Sequence, residues 1–147
     1  MTEPVDIVRR FYEEIWNQGN LDAILDICHR EIVFRGSLGD TKHGHEGFAD
    51  YVRYVRGALD HYRCHIENVV TEGNRVFAKM LFAGVHQGEF LGYAATRETL
   101  EWAGAALFTI DNDRIIELWV LGDLHGLISQ LSTANNPDGV DLCGPPF

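Results

Sequence analysis

Arg114-Ile115-Ile116-Glu117-Leu118-Trp119-Val120-Leu121-Gly122-Asp123 reads as a β-strand with little polar interruption. Leu124-His125-Gly126-Leu127-Ile128-Ser129-Gln130-Leu131 behind it reads as a short apolar helix. Side chains along a strand alternate between its two faces. Here Ile116, Leu118 and Val120 alternate with Trp119 and Leu121, so both faces are apolar and both need cover. The acidic residue at the strand's end has two readings. It caps the helix that follows, or it serves a pocket, because a buried carboxylate without a partner is costly.

Upstream, the same period of two continues. Thr99 to Ile110 places Leu100, Trp102, Gly104, Ala106, Phe108 and Ile110 on one face, and Asp111-Asn112-Asp113 turns it into the strand above. Tyr62 to Thr71 and Arg75 to His86 form another strand pair, joined by Glu72-Gly73-Asn74, and Gly88 to Thr96 is a loop. Before Asp60 the period is helical. Val5, Val8, Phe11, Tyr12, Ile15 and Trp16 mark a helix over residues 4 to 18. Leu21, Ile24, Leu25 and Cys28 mark a short second one. Phe48, Tyr51, Val52, Val55 and Leu59 mark a third that opens at Gly44-His45-Glu46-Gly47. Ile32-Val33-Phe34 is a brief strand, and Gly36 to Gly44 is a polar loop. Helices first, then antiparallel strands, then a closing helix predict an α+β fold with helices laid across one face of a curved sheet. The other sheet face then needs a partner, which predicts a homodimer through the sheet.

The chain has 147 residues, enough for one domain with a sizeable core. Its formal net charge of −10 argues against nucleic-acid and anionic-membrane partners, which would be repelled. No apolar run reaches the length of a membrane span, and the N-terminus has no secretory leader pattern. Cys28, Cys64 and Cys143 are odd in number and form neither a zinc pattern nor a disulfide framework, so a reducing, cytoplasmic setting is expected. Residues 1–131 read as the domain. Residues 132–147, rich in Pro and Gly, read as an irregular tail from which Phe147 could reach back as a lid.

Several segments resemble the SnoaL-like polyketide cyclases. They are His86-Gln87-Gly88-Glu89-Phe90-Leu91-Gly92-Tyr93-Ala94-Ala95-Thr96, Asp113-Arg114-Ile115-Ile116-Glu117, and Trp119 through Asp123 to Gln130-Leu131. Val8-Arg9-Arg10, His29 and Gly44-x-x-x-Phe48 agree, and the likeness spans roughly residues 5 to 131. The resemblance implies a cone-shaped barrel of the nuclear transport factor 2-like kind, its curved, mostly antiparallel sheet wrapped around the three N-terminal helices. It implies an apolar pocket between helices and sheet, a dimer, and neither metal nor organic cofactor. Members of the family close a ring by intramolecular aldol condensation, with a carboxylate as base, and Asp123 falls at that carboxylate's position. The family's polar partners are replaced: Phe34 stands in place of an Asn, and Gly104 and Ala106 in place of a Gln and a His.

The resemblance therefore makes Asp123 the candidate base, and His86, at the end of an apolar strand face beside Gln87-Gly88, is the candidate assisting acid. Tyr12, Trp16, Phe34, Tyr51, Trp102 and Trp119 become candidate walls for a small hydrophobic molecule, with Gly104 and Ala106 enlarging the space. His43-Gly44-His45-Glu46 lacks a further ligand cluster and reads as a helix start rather than a metal site. Two functions follow. One is a cofactor-independent enzyme moving a proton on a small carbonyl compound, by aldol-type cyclisation, isomerisation or hydration/dehydration. The other is a non-catalytic small-molecule-binding or dimeric accessory protein. Whether Asp123 points into a cavity or bonds the backbone amides of residues 125 or 126 separates them.

Overall fold

Six strands hydrogen-bond into one curled, unclosed sheet in the computed structural model, which describes residues 2–134. They are β1 (Cys28–Arg35), β2 (Thr41–His43), β3 (Leu59–Glu72), β4 (Arg75–His86), β5 (Thr99–Asp111) and β6 (Arg114–Gly122). Their order across the sheet is β2-β1-β6-β5-β4-β3. All neighbours are antiparallel except β1 and β6, which run parallel and join the N-terminal half to the C-terminal strand. The α+β architecture expected from the order of elements is the one found. No helix among the described residues is long and apolar enough to cross a membrane.

The helices are α1 (Pro4–Arg10), which continues as a π-helical segment (Phe11–Asn17), then α2 (Ile24–Ile27), α3 (Gly44–Ala58) and α4 (Leu124–Ala134). Pro4 starts α1, where its missing N–H costs nothing. The wider turns that follow have a cause in the sequence. The buried residues Ile7 and Val8, Phe11 and Tyr12, Ile15 and Trp16 recur every four positions, more than the 3.6 of an α-helix. Loosening the helix from Phe11 onward keeps that face turned to the sheet.

The core is aromatic. Phe11 stacks on Phe48 with ring centroids 5.5 Å apart and meets Phe108 edge-on at 5.5 Å. Phe34 lies 4.8 Å from Phe48 and 5.0 Å from Tyr51. The α4 helix docks on β5 where β6 has ended: the Gln130 side chain donates to the Glu101 carbonyl (2.7 Å) and accepts its N–H (3.0 Å).

Four local differences separate expectation from structure. The brief strand at 32–34 is part of the eight-residue β1, and the polar loop contains the three-residue β2. Strand β3 begins at Leu59, directly from the helix, not at Tyr62. Helix α4 runs to Ala134, and the remainder of the expected tail, with Cys143 and Phe147, lies outside the described residues.

The space expected to be opened by Gly104 is filled. A Cβ there would run into the Phe82 ring and stand 3.1 Å from the Leu121 carbonyl oxygen. Gly104→Ala is therefore expected to lower stability by about 1–3 kcal/mol through overpacking, read as a lower urea midpoint.

Candidate functional site

The cavity between helices and sheet is built by six elements. The π-helical segment contributes Phe11, Tyr12 and Trp16; β1 and the turn after it contribute Phe34 and Ser37; α3 contributes Tyr51. Strand β3 contributes Tyr62 and Cys64, β4 contributes Phe82, and β6 contributes Leu118 and Val120. The volume is about 20 Å³, room for about one water. Small-molecule sites typically run to about 300–1,000 Å³, so the aromatic walls here nearly meet.

The polar groups of this wall are three phenols, a thiol and a serine. The Tyr12 hydroxyl is buried with no hydrogen-bond partner. The Tyr51 hydroxyl accepts the Leu38 N–H at 3.4 Å. Burial pushes the Tyr51 phenol up to about 12, and it raises Tyr12 and Tyr62 well above the ordinary phenol value. Burial likewise raises the Cys64 thiol, and it pushes Cys28, deeper in the core, up to about 12. Desolvation disfavours the charged form of each group. Near neutral pH the cavity thus offers hydrogen-bond donors and no base.

Asp123 is not part of this wall. It is exposed, and its Oδ1 accepts the Gly126 N–H at 3.0 Å while its carbonyl accepts the Leu127 N–H at 3.1 Å. That is the N-cap of α4. Strand alternation is the reason: Leu118 and Val120 face the cavity, while Trp119, Leu121 and Asp123 fall on the outward parity. Trp119 is accordingly 44% exposed on the outer face, with the Arg35 guanidinium 5.8 Å from its ring centroid. Between Asp123 and the cavity stands Ser37, packed over Gly122 so closely that a Cβ on that glycine would lie 2.9 Å from the serine Cβ.

His86 is fully buried but does not line the cavity either. Its Nδ1 contacts the Thr96 hydroxyl at 3.0 Å and accepts the Thr96 N–H at 3.2 Å, which leaves the ring proton on Nε2. Its backbone bonds Glu98 and Arg97. The residue fastens the 88–98 loop to the end of β4. Its Nε2 is buried without a partner among the described residues.

Of the candidate wall residues, Tyr12, Trp16, Phe34 and Tyr51 line the cavity. Trp102 lies behind the wall, packed on Phe82 (5.5 Å) and Tyr62 (6.1 Å), and Ala106 is sealed in the core. The lining residues not anticipated include Tyr62, Cys64 and Phe82; their alternation along β3 and β4 was the available signal. No group of three His, Cys, Asp or Glu suited to a metal ion occurs among the described residues, and the His45 ring nitrogen Nε2 contacts the Cys28 carbonyl at 2.9 Å.

The sequence pattern of the SnoaL-like polyketide cyclase family matches residues 6–131. Solved structures of the same fold include a protein of Jannaschia sp. CCS1 named as a SnoaL-like polyketide cyclase. It is 21% identical with a TM-score of 0.80, covering 88% of this chain and 91% of that one. TsrD from Streptomyces laurentii is 23% identical with a TM-score of 0.77, covering 86% and 92%. IdmH from Streptomyces antibioticus is 22% identical with a TM-score of 0.77, covering 89% and 99%. At these identities the likeness is one of fold. No curated protein sequence matches the chain.

The raised thiols carry a pH consequence. A free thiol titrates near 8.5, so above that pH the unfolded chain is stabilised by losing the thiol proton while the folded chain, which keeps it, is not. The contribution of Cys28 is complete below about pH 8.5 and is lost as pH rises toward its folded value of about 12. Urea midpoints are expected to hold between pH 7 and 8.5 and fall above, by about 1.4 kcal/mol per pH unit for each such thiol. Iodoacetamide at pH 8 should leave Cys28 and Cys64 unmodified in the native protein and alkylate both in urea, read by peptide mass spectrometry.

Proposed function

The chain belongs to the SnoaL-like polyketide cyclase family, and from that premise we propose that it binds a small, flat, apolar carbonyl compound in its aromatic cavity, without using Asp123 as a base. The observation that carries this reading is the buried, unpartnered Tyr12 hydroxyl in a wall whose phenols and thiol are kept protonated by burial. A phenol kept protonated donates to a carbonyl oxygen; it does not take a proton from carbon. Binding draws on a conformer in which the rings have parted, selected and held by the ligand. Of the two functions open at the level of sequence, this is the small-molecule-binding one. A cyclase-type proton transfer would need Asp123 to abandon the Gly126 N–H and Ser37 to leave Gly122.

Fluorenone and fluorene, alike in shape and differing in one carbonyl, test the reading by calorimetry. Fluorenone is expected to bind more tightly. Tyr12→Phe should weaken fluorenone by about two- to tenfold, the worth of one neutral hydrogen bond, and leave fluorene unchanged. Asp123→Asn should change neither. Loss of fluorenone binding in Asp123→Asn, with the fold intact by circular dichroism, would return the carboxylate to the site and sink this reading.

The same protein is proposed to be a homodimer through the outer sheet face. Cross-strand partners Val70, Phe77, Leu107, Trp119 and Arg35 form one row across five strands. Val70, Phe77 and Trp119 in that row are 65%, 41% and 44% exposed. A row of that kind marks an association surface, and an isologous contact would place it against its own copy. Sedimentation is expected to give a dimer for the wild type and a folded monomer for Trp119→Glu. A wild-type monomer at micromolar concentration would refute it.

A further inference from the structure

Outside the cavity, between the π-helical segment and β3, lies an open groove of about 400 Å³. It falls in the size range of small-molecule sites, which the cavity alone does not. Tyr12 and Cys64 line both spaces, so the two are separated by one aromatic ring and one thiol. The partition is held in place from the groove side. Asn17 donates to the Cys64 carbonyl at 3.2 Å and accepts the Cys64 N–H at 2.7 Å, tying the helix to the edge strand.

The groove differs in chemistry from the cavity. Arg9, Glu13 and His65 line it. Arg10 is paired with Glu14 at 2.7 Å, whereas Arg9 has no partner among the described residues. Glu13 stands four residues from Arg9 yet is engaged by the side-chain amides of Asn17 (3.5 Å) and Gln18 (3.4 Å). His65 is exposed and also without a partner. The chain as a whole carries 22 acidic against 12 basic residues, so its overall field repels anions. Anion preference here would have to come from these particular side chains.

We propose that the ligand has two parts: a flat apolar ring system held in the cavity, and a short anionic arm that leaves past Tyr12 and lies in the groove against Arg9 and His65. This rests on the cavity being the binding site for the ring, as proposed above. Tyr12 then meets the ligand at its junction, with its hydroxyl next to the ring's oxygen and its ring edge against the arm. The carboxylate of Glu13, held by two amides, bounds the groove and disfavours an arm that brings negative charge to that side. The arm sits nearest Arg9.

The test uses fluorenone carrying a butyrate arm and the methyl ester of the same compound, titrated against the full chain. The acid is expected to bind about tenfold more tightly than the ester, a charge-assisted contact discounted for solvent exposure. The exposed double variant Arg9→Gln/His65→Gln should erase that difference and leave the affinity for the ester and the urea midpoint unchanged. Equal binding of acid and ester to the wild type overturns the proposal, as does an acid preference that survives the double variant. If plain fluorenone binds while the arm makes no difference, only the two-part ligand is refuted. If neither fluorenone nor its conjugates bind, the cavity reading falls and this one with it.

Discussion

The period of two along β6 is the constraint on which the rest of the site depends. With Leu118 and Val120 committed to the cavity, Trp119, Leu121 and Asp123 have to face outward. Nothing short of a bulge between Val120 and Asp123 would turn the carboxylate inward, and β6 pairs with β5 without interruption from Thr109↔Glu117 to Gly104↔Gly122. Gly122 completes the arrangement. Its lack of a side chain lets Ser37 sit against the strand and close the cavity's end. A carboxylate one residue further on is thus close along the chain and remote in chemistry.

What remains inside is a donor set formed by burial. Desolvation keeps Tyr12, Tyr51 and Tyr62 protonated and does the same to Cys64. The same desolvation that would sharpen a base is here applied to groups that work in their neutral form. The wall's aromatic density has a second effect. Rings from helix and sheet pack closely, such as Trp16 on Tyr62 at 5.4 Å and Phe11 on Phe108 at 5.5 Å between centroids. A cavity packed this way has little volume of its own, so the proposed binding needs ring motion and not a preformed void.

Element types were legible because their periods are clean: five of the six strands and all the longer helices were anticipated from the sequence. The misses have physical reasons. Thr41-Lys42-His43 is too short to show alternation, and it pairs with β1 through backbone alone. The π-helical turn was written in the fourfold recurrence from Ile7 to Trp16, which a helical template absorbs as ordinary amphipathicity. Tyr12, Trp16, Phe34 and Tyr51 could be picked out as large rings on inward positions. Asp123 was placed by resemblance, and Trp119 and His86 by residue type and chain position, none of which carries the direction of a side chain. Gly104 was read as empty space because sequence does not reveal that Phe82, two residues along the adjacent strand from its partner Met80, leans into it.

Alternation also segregates the two surfaces on which function is proposed to rest. Leu118 and Val120 of β6 face the helices and the cavity, while Arg35, Trp119, Leu107 and Phe77 form the outer row. Association through that row would cover the sheet's far side without touching the cavity. The groove lies apart from that row, walled by Arg9 of α1, the π-helical segment and residues 64–66 of β3. Phe34 and Ala106 are buried on the inner side of the sheet, and the sheet's polar contributions to the cavity wall come from Tyr62 and Cys64 of β3. Among the described residues, the one buried hydroxyl without a partner is that of Tyr12, on the helix side, where cavity and groove meet. The proposed recognition of a carbonyl therefore rests on the helical wall and not on β6.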